Sequence, residues 1–320
     1  MIFELPNSDT REIAKTLVRI RDNGVQSTTS RVLTLIVVAK ATDDLSAVID
    51  AAKDASREHP SRVIVLVTGD AHAEHRLDAE VRIGGDAGAA ELIVIRLNGE
   101  VVHHLVHVVT PLLLPDTPIV VWWPFTAPVH PSEDQLGKIA QRRITDAEFD
   151  PLVDALYNRR NAYAPGDSDI SWARLTPWRG VLASALDQPP HEMVVEAKVY
   201  GPASSPSVDL AAGWLVDRLG VTVTRMITPE SQQHCGCSKR RNVVPVMRAE
   251  LIRPSGTIVL EACDHNETIA VTMPGRATAK VAVNLRTEAD CLAEELRHLD
   301  PDSAYERALH GLTRVYYPVV

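Results

Sequence analysis

Two uninterrupted apolar runs, Arg31 to Lys40 (RVLTLIVVAK) and Arg62 to Thr68 (RVIVLVT), constrain this chain more than any other feature. Neither alternates polar with apolar residues, so each suits a strand buried on both faces, which is the condition of a parallel sheet. Between them Leu45, Val48, Ile49 and Ala52 recur at i, i+3, i+4 and i+7, giving one packing stripe to a helix over Asp43 to His59. Pro60 and Ser61 then break the helix. The segment therefore reads as a β-α-β unit, for which a right-handed crossover is expected.

The same alternation continues. Asp9 with Glu12 three residues on forms a helix N-cap, further strands are predicted at Glu80 to Ile83, Glu91 to Leu97 and Pro118 to Trp122, and a helix is predicted from Glu100 to Leu113. Capping boxes at Ser132 with Gln135 and at Thr145 with Glu148 predict two more helix starts. Ala164-Pro165-Gly166-Asp167 punctuates the chain, and the domain boundary is placed there: an N-terminal layered α/β domain with a mainly parallel sheet over 1–165, and a C-terminal α+β domain over 166–320. In the second part Asp169 to Leu186 reads as two short helices, with Thr176-Pro177 opening the second. Strands follow at Met193 to Tyr200, Val221 to Ile227, Val243 to Ile252, Thr257 to Ala262 and Glu267 to Met273, with a helix at Ser207 to Leu219 and two more at the end.

Composition narrows the function. With 42 acidic against 33 basic side chains the formal charge is −9, the wrong sign for a chain whose main partner is a phosphate backbone, so nucleic acid is not an expected partner. The 4 cysteines are too few for a disulfide framework and fit a reducing compartment. A membrane helix needs roughly 18 or more consecutive apolar residues, and the runs here are far shorter. Met1 to Pro6 lacks the basic and apolar regions of a secretory signal. A cytoplasmic location is expected, with no membrane partner.

Few residues carry the patterns of catalysis. Gly84-Gly85-Asp86-Ala87-Gly88 precedes a predicted strand, whereas a phosphate-cradling loop follows a strand and opens a helix, so it reads as a turn. Walker A, G-x-S-x-G and H-E-x-x-H patterns are absent. His103, His104 and His107 have metal-like spacing, but a helix drawn at about 100° per residue turns His103 and His107 away from the apolar arc, onto a solvated face. His234-Cys235-Gly236-Cys237, with Cys263 and His265, holds enough donors for a tetrahedral set or a thiol switch, and Lys239, Arg240 and Arg241 would favour thiolate. That segment nonetheless reads as a polar loop. No cofactor, metal site or catalytic residue is expected.

Aromatic and arginine residues are more telling. Aromatics make up 4% of the chain, yet Trp122 and Trp123 are adjacent at the end of an apolar strand, where successive side chains face opposite ways. They either close the interlayer core or anchor a partner. Trp172, Arg174, Trp178 and Arg179 form a second concentration, suited to a contact between domains or to an external protein. Arg142 and Arg143 read as a solvated pair or as an anion site.

Taken in order, His59-Pro60-Ser61-Arg62-Val63-Ile64-Val65, Gly84 to Ala89, Leu113-Leu114-Pro115-Asp116-Thr117-Pro118, Trp122-Trp123-Pro124, Arg142-Arg143-Ile144-Thr145-Asp146, Gly166 to Glu192 and Cys291 to Arg297 resemble the OpcA family, the glucose-6-phosphate dehydrogenase assembly proteins of actinobacteria and cyanobacteria. The resemblance implies a non-catalytic accessory protein that promotes assembly or activation of that dehydrogenase in the oxidative pentose phosphate pathway. It supplies no catalytic residues, and Cys235 and Cys237 lie outside the matching segments. A sugar-phosphate enzyme or sensor using Arg142 and Arg143 as its anion pocket is the competing expectation. The chain's own oligomeric state is not legible.

Overall fold

A computed structural model describes residues 1–22, 32–83, 91–228, 244–263 and 267–318. The chain divides into two compact units that interleave along the sequence. One comprises Met1–Ala155, Ala162–Ser168 and Leu292–Pro301, and the other Leu156–Asn161, Asp169–Cys291 and Asp302–Val320.

The first unit is built on a sheet which, among the described residues, has eight strands in the order β1-β4-β5-β3-β2-β6-β7-β8. The strands are β1 (Ile2–Leu5), β2 (Leu33–Lys40), β3 (Ser61–Thr68), β4 (Arg76–Ile83), β5 (Glu91–Asn98), β6 (Ile119–Trp123), β7 (Arg142–Thr145) and β8 (Asp167–Asp169). From β5 through β3, β2 and β6 to β7 every pair is parallel; β4 runs antiparallel to β5 and β1 antiparallel to β4. The architecture is thus α/β with a mainly parallel sheet. β2 and β3 are the two apolar runs, paired Leu33 to Ser61 through Lys40 to Thr68, and buried along most of their length. The intervening helix α2 (Leu45–Glu58) is capped by Asp44, whose side chain accepts from Ala47 N–H, and it buries Val48, Ile49, Ala51, Ala52 and Ala55. The capped helix α1 (Thr10–Asp22) forms as expected, with Glu12 N–H donating to Asp9 at 2.8 Å.

Three local expectations are corrected. The single helix over Glu100 to Leu113 is a broken series: a 3₁₀ turn over Gly99–His103, α3 (Leu105–Val109) and a 3₁₀ turn over Thr110–Leu112. His104 leaves helical geometry at φ −122° and ψ 37°, and Pro111 opens the last turn, while Val108, Val109 and Leu112 still bury the anticipated stripe. Ser132 begins no α-helix, only the 3₁₀ turn Pro131–Glu133. Thr145 ends strand β7, its hydroxyl donating to Ser168 carbonyl oxygen at 3.2 Å, because registry with β6 (Trp122 to Ile144) overrides the local capping pattern. The glycine-rich loop at 84–88, the Cys235-Cys237 segment and His265 lie outside the described residues.

In the second unit the described sheet has six strands in the order β10-β9-β11-β12-β13-β14. These are β9 (Glu196–Gly201), β10 (Thr222–Ile227), β11 (Arg248–Arg253), β12 (Gly256–Cys263), β13 (Thr268–Thr272) and β14 (Ala279–Ala282). Only the β9–β10 pair is parallel, as expected when strands are joined mostly by hairpins. Helix α4 (Ala155–Asn161) precedes it in the chain. Helices α5 (Ile170–Arg174) and α6 (Thr176–Leu186) realise the predicted helical pair, with Asp169 capping α5 through Ser171 N–H at 2.9 Å. Helices α7 (Pro206–Leu219), α8 (Glu288–Arg297) and α9 (Ser303–Gly311) complete the described fold. α7 and α9 approach so closely that a Cβ on Gly213 would lie 2.2 Å from Ala308 O and one on Gly311 2.3 Å from Gly213 O. Among the described residues no helix is long and apolar enough to cross a membrane.

Candidate interaction site

The residues singled out by sequence occupy the interior more than the surface. Trp122 and Trp123 are both buried. β6 lies between β2 and β7, so its two faces each meet a covered layer: Trp123 joins the cluster of Ile36, Ile64, Ile93 and Val121, and Trp122 points the other way. Neither ring is exposed, and of the two readings the burial fits closure of the interlayer core. Trp122 Nε1 is buried without a hydrogen-bond partner, a small cost accepted for filling the layer with an indole.

Arg142 and Arg143 are also buried, and neither is a solvated pair or an open anion site. Alternation along β7 sends them to opposite faces. Arg142 pairs through Nη2 with Glu295, which also accepts from Ser168 Oγ, and its Nη1 donates to Asp300 O at 3.0 Å. Arg143 pairs through Nε with Asp167 and donates from Nη1 to Ala140 O at 3.0 Å. Gly166 sits beside it at φ +95°, where a Cβ would come within 2.5 Å of Gln141 O, so the turn needs glycine. Buried guanidinium groups need such partners because an unpaired charge in the interior is costly. Glu295 is the residue that sequence reading missed; it is 153 positions from Arg142, and no local pattern points to it.

In the second unit Trp172 and Trp178 are buried, while Arg174 and Arg179 are half-buried. Trp172 Nε1 donates to Asp302 Oδ2 at 2.8 Å, and the Asp302 carboxylate also accepts from Ala304 and Tyr305 N–H to cap α9. Arg179 lies over the Trp172 ring at 3.7 Å and donates from Nη2 to Thr176 Oγ1 at 2.6 Å. Trp178 meets Trp214 of α7 edge to face, with centroids 6.3 Å apart.

A tyrosine pair completes this unit's polar chemistry. The Tyr157 and Tyr317 hydroxyls are hydrogen-bonded, with Arg160 5.8 Å from the Tyr157 ring centre. Burial, then the charge of Asp209, pushes the Tyr157 phenol up to about 12, and the same two causes raise Tyr317.

His103, His104 and His107 are solvent-exposed, which agrees with the solvated face expected for His103 and His107 although the helix is broken at His104. Among the described residues no group of three histidine, cysteine or acidic side chains is placed to hold a metal ion. Cys291 is buried, and Cys263 donates to Glu261 O at 3.3 Å.

The fold and this geometry define an α/β protein in which Trp122, Trp123, Arg142 and Arg143 belong to the interior. Comparison with family models places it further. Residues 52–161 match the N-terminal domain, and residues 165–309 the C-terminal domain, of the OpcA glucose-6-phosphate dehydrogenase subunit. The chain belongs to the OpcA family. No curated protein matches it. Among solved structures it is similar to one described as trehalose-6-phosphate from E. coli bound with UDP-2-fluoro glucose, at 10% identity over 64% of this chain and 67% of the other, with a TM-score of 0.25.

Proposed function

We propose that this chain is a cytoplasmic, non-catalytic accessory subunit of glucose-6-phosphate dehydrogenase that favours the enzyme's assembled, active form. The observation that carries this reading is the succession of two family matches, each described as a domain of that dehydrogenase's subunit. They end at 161 and resume at 165, which supports two domains dividing near residue 165. Binding the assembled state tenfold more tightly than the unassembled one corresponds to about 1.4 kcal/mol of coupling, a difference that modest contacts supply. Of the residues expected at the contact, the half-buried Arg174 and Arg179 keep that role in this proposal, and the tryptophans hold the helices beneath them.

The competing reading, a sugar-phosphate enzyme or sensor, relied on Arg142 and Arg143, whose guanidinium groups are already paired with Glu295 and Asp167. Dehydrogenase rate and oligomer mass, measured with and without the chain at matched salt, test the proposal. An increase in both is expected, together with no glucose 6-phosphate binding to the chain alone by calorimetry. Identical rate and mass, or turnover by the isolated chain, would overturn it.

A further inference from the structure

Helix α1 carries a charge pattern that its own fold does not use. Ile13, Leu17 and Ile20 are buried and fasten the helix to the core. On the outer side Arg11, Lys15 and Arg19 are exposed and follow one another at i, i+4 and i+8, a step of roughly 6 Å along a helix. None of the three has an ion-pair partner among the described residues. Glu12, at the flank, is engaged by Ser8 Oγ at 2.7 Å, and Asp22 closes the C-terminal end of the stripe. Val18, 46% exposed, lies on the same side beside Lys15 and Arg19.

This arrangement works against the helix that bears it. Like charges four residues apart repel, and Arg11 stands in the first turn, where the helix dipole disfavours a cation. It also opposes the chain's overall charge of −9. A carboxylate-rich surface meeting this face is attracted locally by charges opposite in sign to the chain's net charge.

We propose that the exposed face of α1 is a docking surface for a carboxylate-rich protein surface, with Val18 as an apolar contact among three cations. This rests on the accessory-subunit reading and assigns a surface by which the dehydrogenase is met. Phosphate backbones would feel the same charges, but three cations on a chain of −9 are too few for useful affinity.

The test compares the full chain with the charge-reversed R11E/K15E/R19E variant and the neutral R11Q/K15Q/R19Q variant, measuring dehydrogenase association against salt. The expected result is at least tenfold weaker binding on reversal, a smaller loss on neutralisation, and a salt dependence that shrinks in both. Helix content and melting midpoint should stay unchanged in the neutral variant, which decides the matter if the reversal unfolds. Wild-type association that survives both variants with the same salt dependence overturns the docking inference alone. Failure of the wild type to associate at all overturns the accessory reading first. Wild-type binding to a DNA duplex, lost on reversal while dehydrogenase binding persists, would make the stripe a nucleic-acid surface and overturn the proposal.

Discussion

The guanidinium carbon of Arg179 lies 3.7 Å from the centre of the Trp172 ring, so the two residues are stacked on each other. The stack joins α5 to α6, and through the Trp172 bond to Asp302 it reaches the cap of α9. Arg179→Lys keeps the charge but loses the flat stack and the bond to Thr176. It should lower stability by about 1 kcal/mol, as expected for a partly desolvated cation–π pair. Urea denaturation measures the difference, and no loss would mean the stack contributes nothing.

Trp123→Ala should cost about 3–5 kcal/mol, the usual range for deleting a large buried aromatic side chain. A double change with Arg174→Ala should be nearly as destabilising as Trp123→Ala alone, since Arg174 is half-buried. Thermal melts of the isolated protein check this; an unmoved midpoint would place Trp123 outside the core.

Glu295→Gln leaves Arg142 buried beside a neutral amide and should destabilise by about 3–5 kcal/mol, because the partner's charge stays in the interior uncompensated. Replacing both residues with apolar ones of similar volume should recover much of that loss. A double-mutant cycle by chemical denaturation reads the coupling, and strictly additive losses would rule out an essential pair.

Gly213→Ala forces a methyl group against Ala308 O, where a Cβ would sit 2.2 Å away. Separation of α7 from α9 should cost about 1–3 kcal/mol, as overpacking generally does. Gly180→Ala, with nothing within 4 Å of its Cβ, is the control and should be neutral or stabilising.

With its phenol pushed up to about 12, Tyr157 keeps its proton in the folded state at a pH where the unfolded chain has lost it. Its contribution to stability is therefore full below about pH 10, the ordinary tyrosine value. It declines as pH rises from there toward about 12. Ultraviolet titration should show a late-ionising fraction that Tyr157→Phe with Tyr317→Phe removes. A single transition near the ordinary value would refute the assignment.

Much of the first unit was legible because its signals are local. The apolar runs that became β2 and β3 have only one way to satisfy both faces, and Leu45, Val48, Ile49 and Ala52 mark a helix without reference to distant residues. Asp9 and Glu12 capped α1 as their spacing implied. β7 is not announced locally, because Thr145 with Glu148 has the pattern of a helix cap while ladder pairing with β6 makes Thr145 a strand residue. β14 was missed because Ala279–Ala282 has neither apolar alternation nor burial to announce a strand.

Residues 31–40 and 62–68, the helix between them and the ordered family segments determined the layered α/β class and the OpcA assignment, since periodicity and order along the chain survive without coordinates. Only the tertiary structure decided that Trp122, Trp123, Arg142 and Arg143 belong to the interior and that Arg11, Lys15 and Arg19 stand outside it, without an ion-pair partner among the described residues. Burial and ion pairing depend on which distant side chains arrive at the same place, as Glu295 does at Arg142. That information is carried by the packing of layers, not by spacing along the chain.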